Sequence, residues 1–275
     1  MQEPTDDGLF IPEVGGWAET KYRLLSLYDT LFSSGMRYKW DKRVYIDLYA
    51  GAGINRIRGT QRLVYGSPLL ALQVNHPFDK YVFCEKSKQD IEALRERTKK
   101  ISADADVEII QGDCNEKISE IMAAIPAASQ QSKVLSLCLV DPYNLGIKFD
   151  TIARLAQRFT DFLVLLALYM DANRNYSTYI KETSTKVADL LGDKSWRTRW
   201  LKAQYSGVSF PRFVADEYAE RMSGIGYLPT PRMKEVRSFE KNLPLYHLAI
   251  FSRHQRAYEF WSEVLKYSTD QIDMF

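Results

Sequence analysis

The chain has 275 residues and a mass of 31.8 kDa, enough for one large α/β domain or two small ones. Lys+Arg 37 against Asp+Glu 35 leaves a net charge of +2, so no overall charge excess marks a polyanion-binding protein. Cys84, Cys114 and Cys138 lie far apart without a CxxC, only three histidines are present, and no apolar run nears the ~18 residues of a membrane span; the expectation is a reduced, cytoplasmic protein with no disulfide framework, zinc knuckle or membrane segment.

Residues 1–40 read as a helical extension, because Trp17, Lys21, Leu24, Leu25, Tyr28, Leu31 and Phe32 recur at helical spacing. A βα core is expected over 41–170. Its first strand is Val44 to Ala50, closed by Gly51 and Gly53, and residues 54–66 read as an extra loop. Ser67-Pro68 then predicts an N-cap and first turn for a helix reaching about Val74. The second strand, Tyr81 to Cys84, ends at Glu85, and Ser87 with Asp90 caps a helix carrying Ile91, Leu94 and Ile101.

The third strand, Val107 to Ile110, ends in Gly112-Asp113, after which Asn115 is placed as the cap of a helix with Ile118, Ile121, Met122 and Ile125. Val134 to Val140 is the fourth strand and leads into Asp141-Pro142-Tyr143. Asp150 reads as the cap of a helix presenting Ile152, Leu155, Ala156 and Phe159 on one side, and Phe162 to Met170 reads as the fifth strand. Residues 176–224 read as a helical insertion. Residues 225–275 complete the sheet with a hairpin, about Met233 to Phe239 and Leu245 to Ser252 around a Lys241-Asn-Leu-Pro turn, and a last helix with Tyr258, Phe260 and Trp261. The expected fold is a single doubly wound α/β domain with a mostly parallel, seven-stranded sheet and a helical insertion after the fifth strand.

Ligands of such sheets bind at the carboxyl ends of the parallel strands. Here four successive strands end in or near Asp47, Glu85, Asp113 and Asp141. A pyrophosphate meets such a row of acids at a cost, whereas S-adenosylmethionine offers an ammonium, a sulfonium, a ribose diol and an adenine amine and carries no phosphate. Gly51-Ala-Gly53-Ile-Asn-Arg56 agrees, since arginine stands where a dinucleotide fingerprint has its third glycine. Glu85 also fits a first-turn acid favoured by the helix dipole, and Asp113 a turn residue after Gly112.

Tyr45-Ile-Asp-Leu-Tyr-Ala-Gly-Ala-Gly, Tyr65-Gly-Ser-Pro-Leu-Leu-Ala-Leu, Gly112-Asp-Cys-Asn and Asp141-Pro-Tyr-Asn-Leu, with Trp17-x-x-x-Lys21 before them and Tyr246-His-Leu and Phe260-Trp261 after, form an ordered set covering nearly the whole chain. In it the sequence resembles the three-Cys-motif partner proteins, methyltransferase-like chains of bacteria and archaea. The resemblance implies a class I methyltransferase-like Rossmann fold, S-adenosylmethionine as cofactor, and a protein partner, the three-Cys-motif protein encoded nearby, itself similar to radical S-adenosylmethionine enzymes. It places Asp47, Gly51 and Gly53 in the first cofactor loop, Glu85 against the ribose hydroxyls and Asp113 against the adenine amine.

Asp141-Pro142-Tyr143 resembles the Asp-Pro-Pro-Tyr signature of amino-group N-methyltransferases with one proline missing. An exocyclic amine needs an acceptor for its N–H, which Asp141 and the Pro142 carbonyl provide, and Tyr143 offers a face for a flipped base. Asp-Pro after a strand is also an ordinary turn. Asp171 and Arg174, in the polar cluster after the fifth strand, are candidates for gripping substrate or for a structural salt bridge or helix cap. For a DNA or RNA substrate the candidate contacts are Lys194, Arg197, Arg199 and Lys202 around Trp196 and Trp200, and Arg232, Lys234, Arg237 and Lys241 near the hairpin; both tryptophans also fit a helix packed on the core with a solvated basic face. The alternative to an enzyme is a cofactor-binding but catalytically idle subunit of the three-cysteine protein.

Overall fold

The computed structural model describes residues 3–230, 233–237 and 244–267. The amphipathic stripe read from Trp17 onward becomes α1 (Trp17–Met36), with Leu24, Leu25, Tyr28 and Phe32 buried. Ahead of it lies the two-residue β1 (Glu13–Val14), and after it β2 (Lys42–Asp47), in which every residue but Lys42 is buried. Residues 54–66 correct the loop reading. They fold into a hairpin, β3 (Ile54–Ile57) and β4 (Leu63–Tyr65), which with β1 makes a small sheet in the order β1-β3-β4. The strands are too short, and their partner β1 too remote in sequence, for periodicity to mark them.

The βα rhythm continues through α2 (Ser67–Leu72), β5 (Lys80–Glu85), α3 (Lys88–Ile101), β6 (Val107–Gln111), α4 (Ile118–Ala124), β7 (Val134–Val140), α5 (Phe149–Leu155) and β8 (Thr160–Leu166). The fifth parallel strand stops short of Met170, because the chain turns at Ala167 into a π-helical turn, Leu168–Ala172. Then follow α6 (Tyr176–Tyr179), α7 (Lys186–Leu191), α8 (Trp196–Tyr205), α9 (Phe210–Gly224), β9 (Lys234–Arg237), β10 (Pro244–Phe251) and α10 (Gln255–Lys266). Of the expected Lys241-Asn-Leu-Pro turn, Lys241, Asn242 and Leu243 lie outside the described residues, as does Arg232, and Pro244 opens β10.

The main sheet has seven strands in the order β6-β5-β2-β7-β8-β10-β9. The first five of that order are parallel, and β10 runs antiparallel to both β8 and β9. Chain order reverses direction between β2 and β7, which puts the topological switch point, and the crevice that goes with it, at their carboxyl ends. The strand pleat splits the core in two. Val44, Ile46, Cys138 and Val140 face α4, α5 and the helices of 176–224, whereas Tyr45, Leu135, Leu137 and Leu139 face α1, α2 and α10.

Three helix caps differ from expectation. Gly66, not Ser67, precedes α2, and Lys117 and Lys148 stand at the starts of α4 and α5 in place of Asn115 and Asp150. Phe159 is 58% exposed and meets Trp40 in a tilted ring contact at 5.3 Å instead of being buried with Ile152 and Leu155. Trp196 and Trp200 are both buried against Phe210 and Phe213, so neither is placed to stack on a base. Two of their four basic neighbours are spent locally: Arg197 donates to the carbonyls of Ile180, Lys181 and Ser184, and Arg199 pairs with Glu217 and Asp193, while Lys194 and Lys202 are exposed.

Candidate active site

At the carboxyl edge the glycine loop turns on two left-handed residues, Gly51 at φ 63° and Gly53 at φ 83°. Any side chain at Gly53 meets Leu69 at 2.9 Å, so the position needs glycine for space as well as for conformation. The loop runs into β3 rather than into a helix, and Gly66 N donates to Gly53 O at 2.7 Å to bring α2 back beside it. Arg97, almost fully buried, fixes the loop from behind by donating to Ala52 O at 2.7 Å while it grips Asp7 through Nε and Nη2.

Glu85 sits beside this loop as an anion held by main-chain donors. Its Oε2 accepts from Gly51 N at 2.8 Å, and its Oε1 from Lys86 N at 2.7 Å and Ser87 N at 2.8 Å. Oε1 is thereby filled, and Oε2 keeps one lone pair for a ligand hydroxyl. Asp113 is arranged the same way: Oδ1 accepts from Asn115 N and Nδ2, both at 2.9 Å, and Oδ2 stays on the rim, 3.6 Å from Lys86. Asn115 thus braces the site, its Nδ2 reaching Gly146 O and its Oδ1 taking Lys148 N and Thr151 Oγ1.

Asp47 is fully buried at the end of β2. Oδ1 accepts from Tyr49 N at 3.1 Å, while Oδ2 has no hydrogen-bond partner among the described residues. Burial pushes this carboxyl up to about 7 against the opposing help of the Ser67 hydroxyl and the Tyr49 amide. Ser67, read from sequence as a helix cap, is instead the first residue of α2, which has no side-chain cap hydrogen bond, and its hydroxyl lies near enough to Asp47 to lower that carboxyl.

Asp141 is where the structure departs furthest from the sequence reading. Lys21, from the middle of α1, donates to its Oδ2 at 2.5 Å, with the two side chains only 6% and 12% exposed. Burial pushes the Asp141 carboxyl up and Lys21 pulls it back in part; burial opposes the Lys21 charge, but Asp141 outweighs that and holds the ammonium above its ordinary range. The Lys21 ammonium also lies 4.4 Å from the centre of the Tyr22 ring and 5.3 Å from that of Trp17. Trp17 in turn meets Tyr246 edge-on at 5.4 Å. Trp17, Tyr22, Tyr49, Asn55, Ser67 and Tyr143 close round the pair and leave about 20 Å³ of space. Asp141 Oδ1 accepts no hydrogen bond from any described residue, and Tyr143 lies 75% exposed next to it.

Asp171 is not on this cleft's surface. Its carboxylate is spent on Leu145 N (2.7 Å), Asn175 Nδ2 (2.7 Å) and the Tyr179 hydroxyl (2.8 Å), so it anchors the loop that follows Asp141-Pro142-Tyr143. Arg174 is exposed and makes no ion pair among the described residues. Asp47, Gly51, Gly53, Glu85, Asp113, Asp141, Pro142 and Tyr143 thus share one edge. Sequence reasoning missed the roles of Lys21, Tyr22 and Ser67, although a lysine on the apolar stripe of α1 is itself a signal, since buried lysines need partners.

No family model matches this chain, and no curated protein matches it. Among solved structures it is similar to protein LPL1258 of Legionella pneumophila, described with the family model DUF519, at 10% identity over 90% of each chain with a TM-score of 0.53. It is also similar to TYW2 of M. jannaschii in complex with AdoMet, at 11% identity over 82% of this chain and 77% of that one with a TM-score of 0.37. A further likeness is to precorrin-6y C5,15-methyltransferase of Geobacter metallireducens, at 10% identity over 90% and 91% with a TM-score of 0.42. At such identities the likeness is one of fold. With five parallel strands, a reversed β10 between β8 and β9, and helices on both faces, the fold is the class I methyltransferase-like Rossmann fold.

Proposed function

We propose that this chain is an S-adenosylmethionine-dependent methyltransferase that N-methylates an amino group of a nucleic-acid base. The observation that carries the cofactor reading is Glu85, held as an anion by Gly51, Lys86 and Ser87 amides with one acceptor position left over. A ribose diol fits that position. The orphaned Oδ2 of Asp47 suits a cationic group at the glycine loop, and the rim-facing Oδ2 of Asp113 suits an adenine amine. A pyrophosphate fits less well, since the loop leads into β3 and offers no helix N-terminus directly after its glycines.

Bound there, S-adenosylmethionine supplies an electrophilic methyl group. The protein's part is placement and charge. Asp141 Oδ1 accepts the N–H of the substrate amine and turns the nitrogen lone pair toward the donor, while Lys21 on Oδ2 keeps the carboxylate charged. Tyr143 stacks on the base, and exposed Arg174 is a candidate for gripping the strand. Incubation with tritiated S-adenosylmethionine and single-stranded DNA or RNA, followed by digestion to nucleosides, gives labelled N-methylated adenosine or cytidine; cofactor binding without a labelled nucleoside removes the catalytic reading.

The closed Lys21–Asp141 pair favours a second reading, in which the chain binds the cofactor as an idle subunit of a three-Cys-motif protein. That reading requires methyl transfer to be absent with and without the partner.

Asp47 sets a pH dependence. A cation beside it favours its charged form, so cofactor affinity rises as pH climbs toward about 7 and is flat above, approaching tenfold per pH unit on the acid side. Stability has the opposite sign: the folded chain keeps a proton that the unfolded one has released, so this contribution is full below the ordinary aspartate value and is lost as pH rises through about 7. Dissociation constants from pH 5.5 to 8.5 check the first statement; a constant value contradicts it.

A further inference from the structure

On the opposite, amino-terminal edge of the sheet lies a cavity of about 220 Å³. It opens between the end of α1, the first residues of β7 and β8, and the turn from β10 into α10. Seven residues of β7 separate this edge from Asp141, about 20 Å at the rise of a strand, so the cavity is independent of the site above. Phe32, Met36, Leu135, Ala257 and Phe260 form its floor, and Trp40 meets exposed Phe159 at its mouth with the rings tilted by 55°. A dry cavity of about 150 Å³ already admits benzene, so this one holds a bicyclic ring.

The polar groups of the cavity are mainly cationic. Exposed Lys39 has no ion-pair partner among the described residues. Arg253 donates from Nη1 to Arg158 O and from Nη2 to Ala156 O and Ile225 O and lies over the Tyr227 ring, and it makes no ion pair among the described residues. Arg256 pairs with Glu259 at 3.1 Å and lies 5.3 Å from the centre of the Phe260 ring. His254, the residue before α10, accepts Arg256 N on Nδ1. The lining carboxyl, Asp161, is pushed up to about 7 by burial, with Ser252 and Arg253 opposing, so at neutral pH only part of its charge stands against an anion. Three cations thus face one partly neutral acid and one paired glutamate.

We propose that this cavity is a second small-molecule site, which takes an aryl carboxylate: a flat apolar ring between Trp40, Phe159 and Phe260, with its anionic group against Lys39, Arg253 and Arg256. Charge complementarity at the mouth selects the anion, and the aromatic lining selects the ring.

The full chain is titrated calorimetrically with 1-naphthoate, 1-naphthamide and 1-naphthylmethylammonium, which share a ring system and differ in charge. The expected order is naphthoate tightest, by about tenfold over the amide, and the ammonium weakest. Lys39→Glu with Arg256→Glu, at exposed positions, weakens naphthoate by about tenfold or more without moving the melting temperature or the methyl-donor affinity. Ala257→Phe fills the floor and removes binding of all three probes; should it fail to fold, the charge-reversal variant decides alone. No heat with naphthoate, equal affinity for the three probes, or unchanged binding in the charge-reversal variant overturns the proposal.

Discussion

Lys21→Met lowers the unfolding free energy by about 3–5 kcal/mol, because it strands the Asp141 charge in a site from which water is nearly excluded. Asp141→Asn costs less, about 1–3 kcal/mol: the amide oxygen still accepts from Lys21, and the Trp17 and Tyr22 rings stay beneath the ammonium. The double variant, Lys21→Met with Asp141→Asn, removes both charges and recovers most of the loss, since an ion pair this deep repays little more than its own desolvation. Urea unfolding of the four proteins gives the coupling directly. Simple addition of the two single losses contradicts a mutually dependent pair.

The same double variant separates stability from chemistry. With the fold recovered and the Asp141 carboxylate gone, methyl transfer falls by about 10²–10³ while the dissociation constant of the methyl donor holds within about twofold. Tyr143→Ala, at an exposed position, acts instead on the acceptor: loss of one base-stacking face, about 1–3 kcal/mol, appears as a raised KM with kcat much less affected. Equal transfer by the Asp141 variant and the wild type removes Asp141 from the chemistry. Matching losses in kcat and KM on Tyr143→Ala remove the stacking role.

Most of the sheet was legible because the central parallel strands bury both faces and so show as apolar runs ending in a polar residue, as Val134 to Val140 does before Asp141. The gathering of Asp47, Glu85, Asp113 and Asp141 at one edge was legible for the same reason, since the carboxyl ends of parallel strands lie side by side. What escaped was local or long-range. The β3–β4 hairpin is made of three- and four-residue strands and is completed by a parallel partner some forty positions earlier. Ser67 and Asn115 sit where caps usually sit, yet no side-chain cap bond is made at α2 and the Asn115 side chain serves the loop before α5, a partner that no helix-cap rule contains. Lys21 and Asp141 are 120 residues apart, and only the packing of α1 across the sheet makes one the counter-ion of the other. Asp171 was visible as an unusual acid, but its four-way use by Leu145, Asn175 and Tyr179 depends on the π-helical turn where the strand was expected to continue.

Calorimetric titration of the wild type and of Glu85→Gln with S-adenosylmethionine and with NAD tests the central claim most directly. The account predicts saturable binding of the sulfonium nucleoside, little or none of the dinucleotide, and about 10- to 100-fold weaker cofactor binding in the variant, whose neutral amide holds the ribose diol and the loop amides less firmly. Tighter binding of NAD than of S-adenosylmethionine, or an unchanged constant in Glu85→Gln, contradicts it.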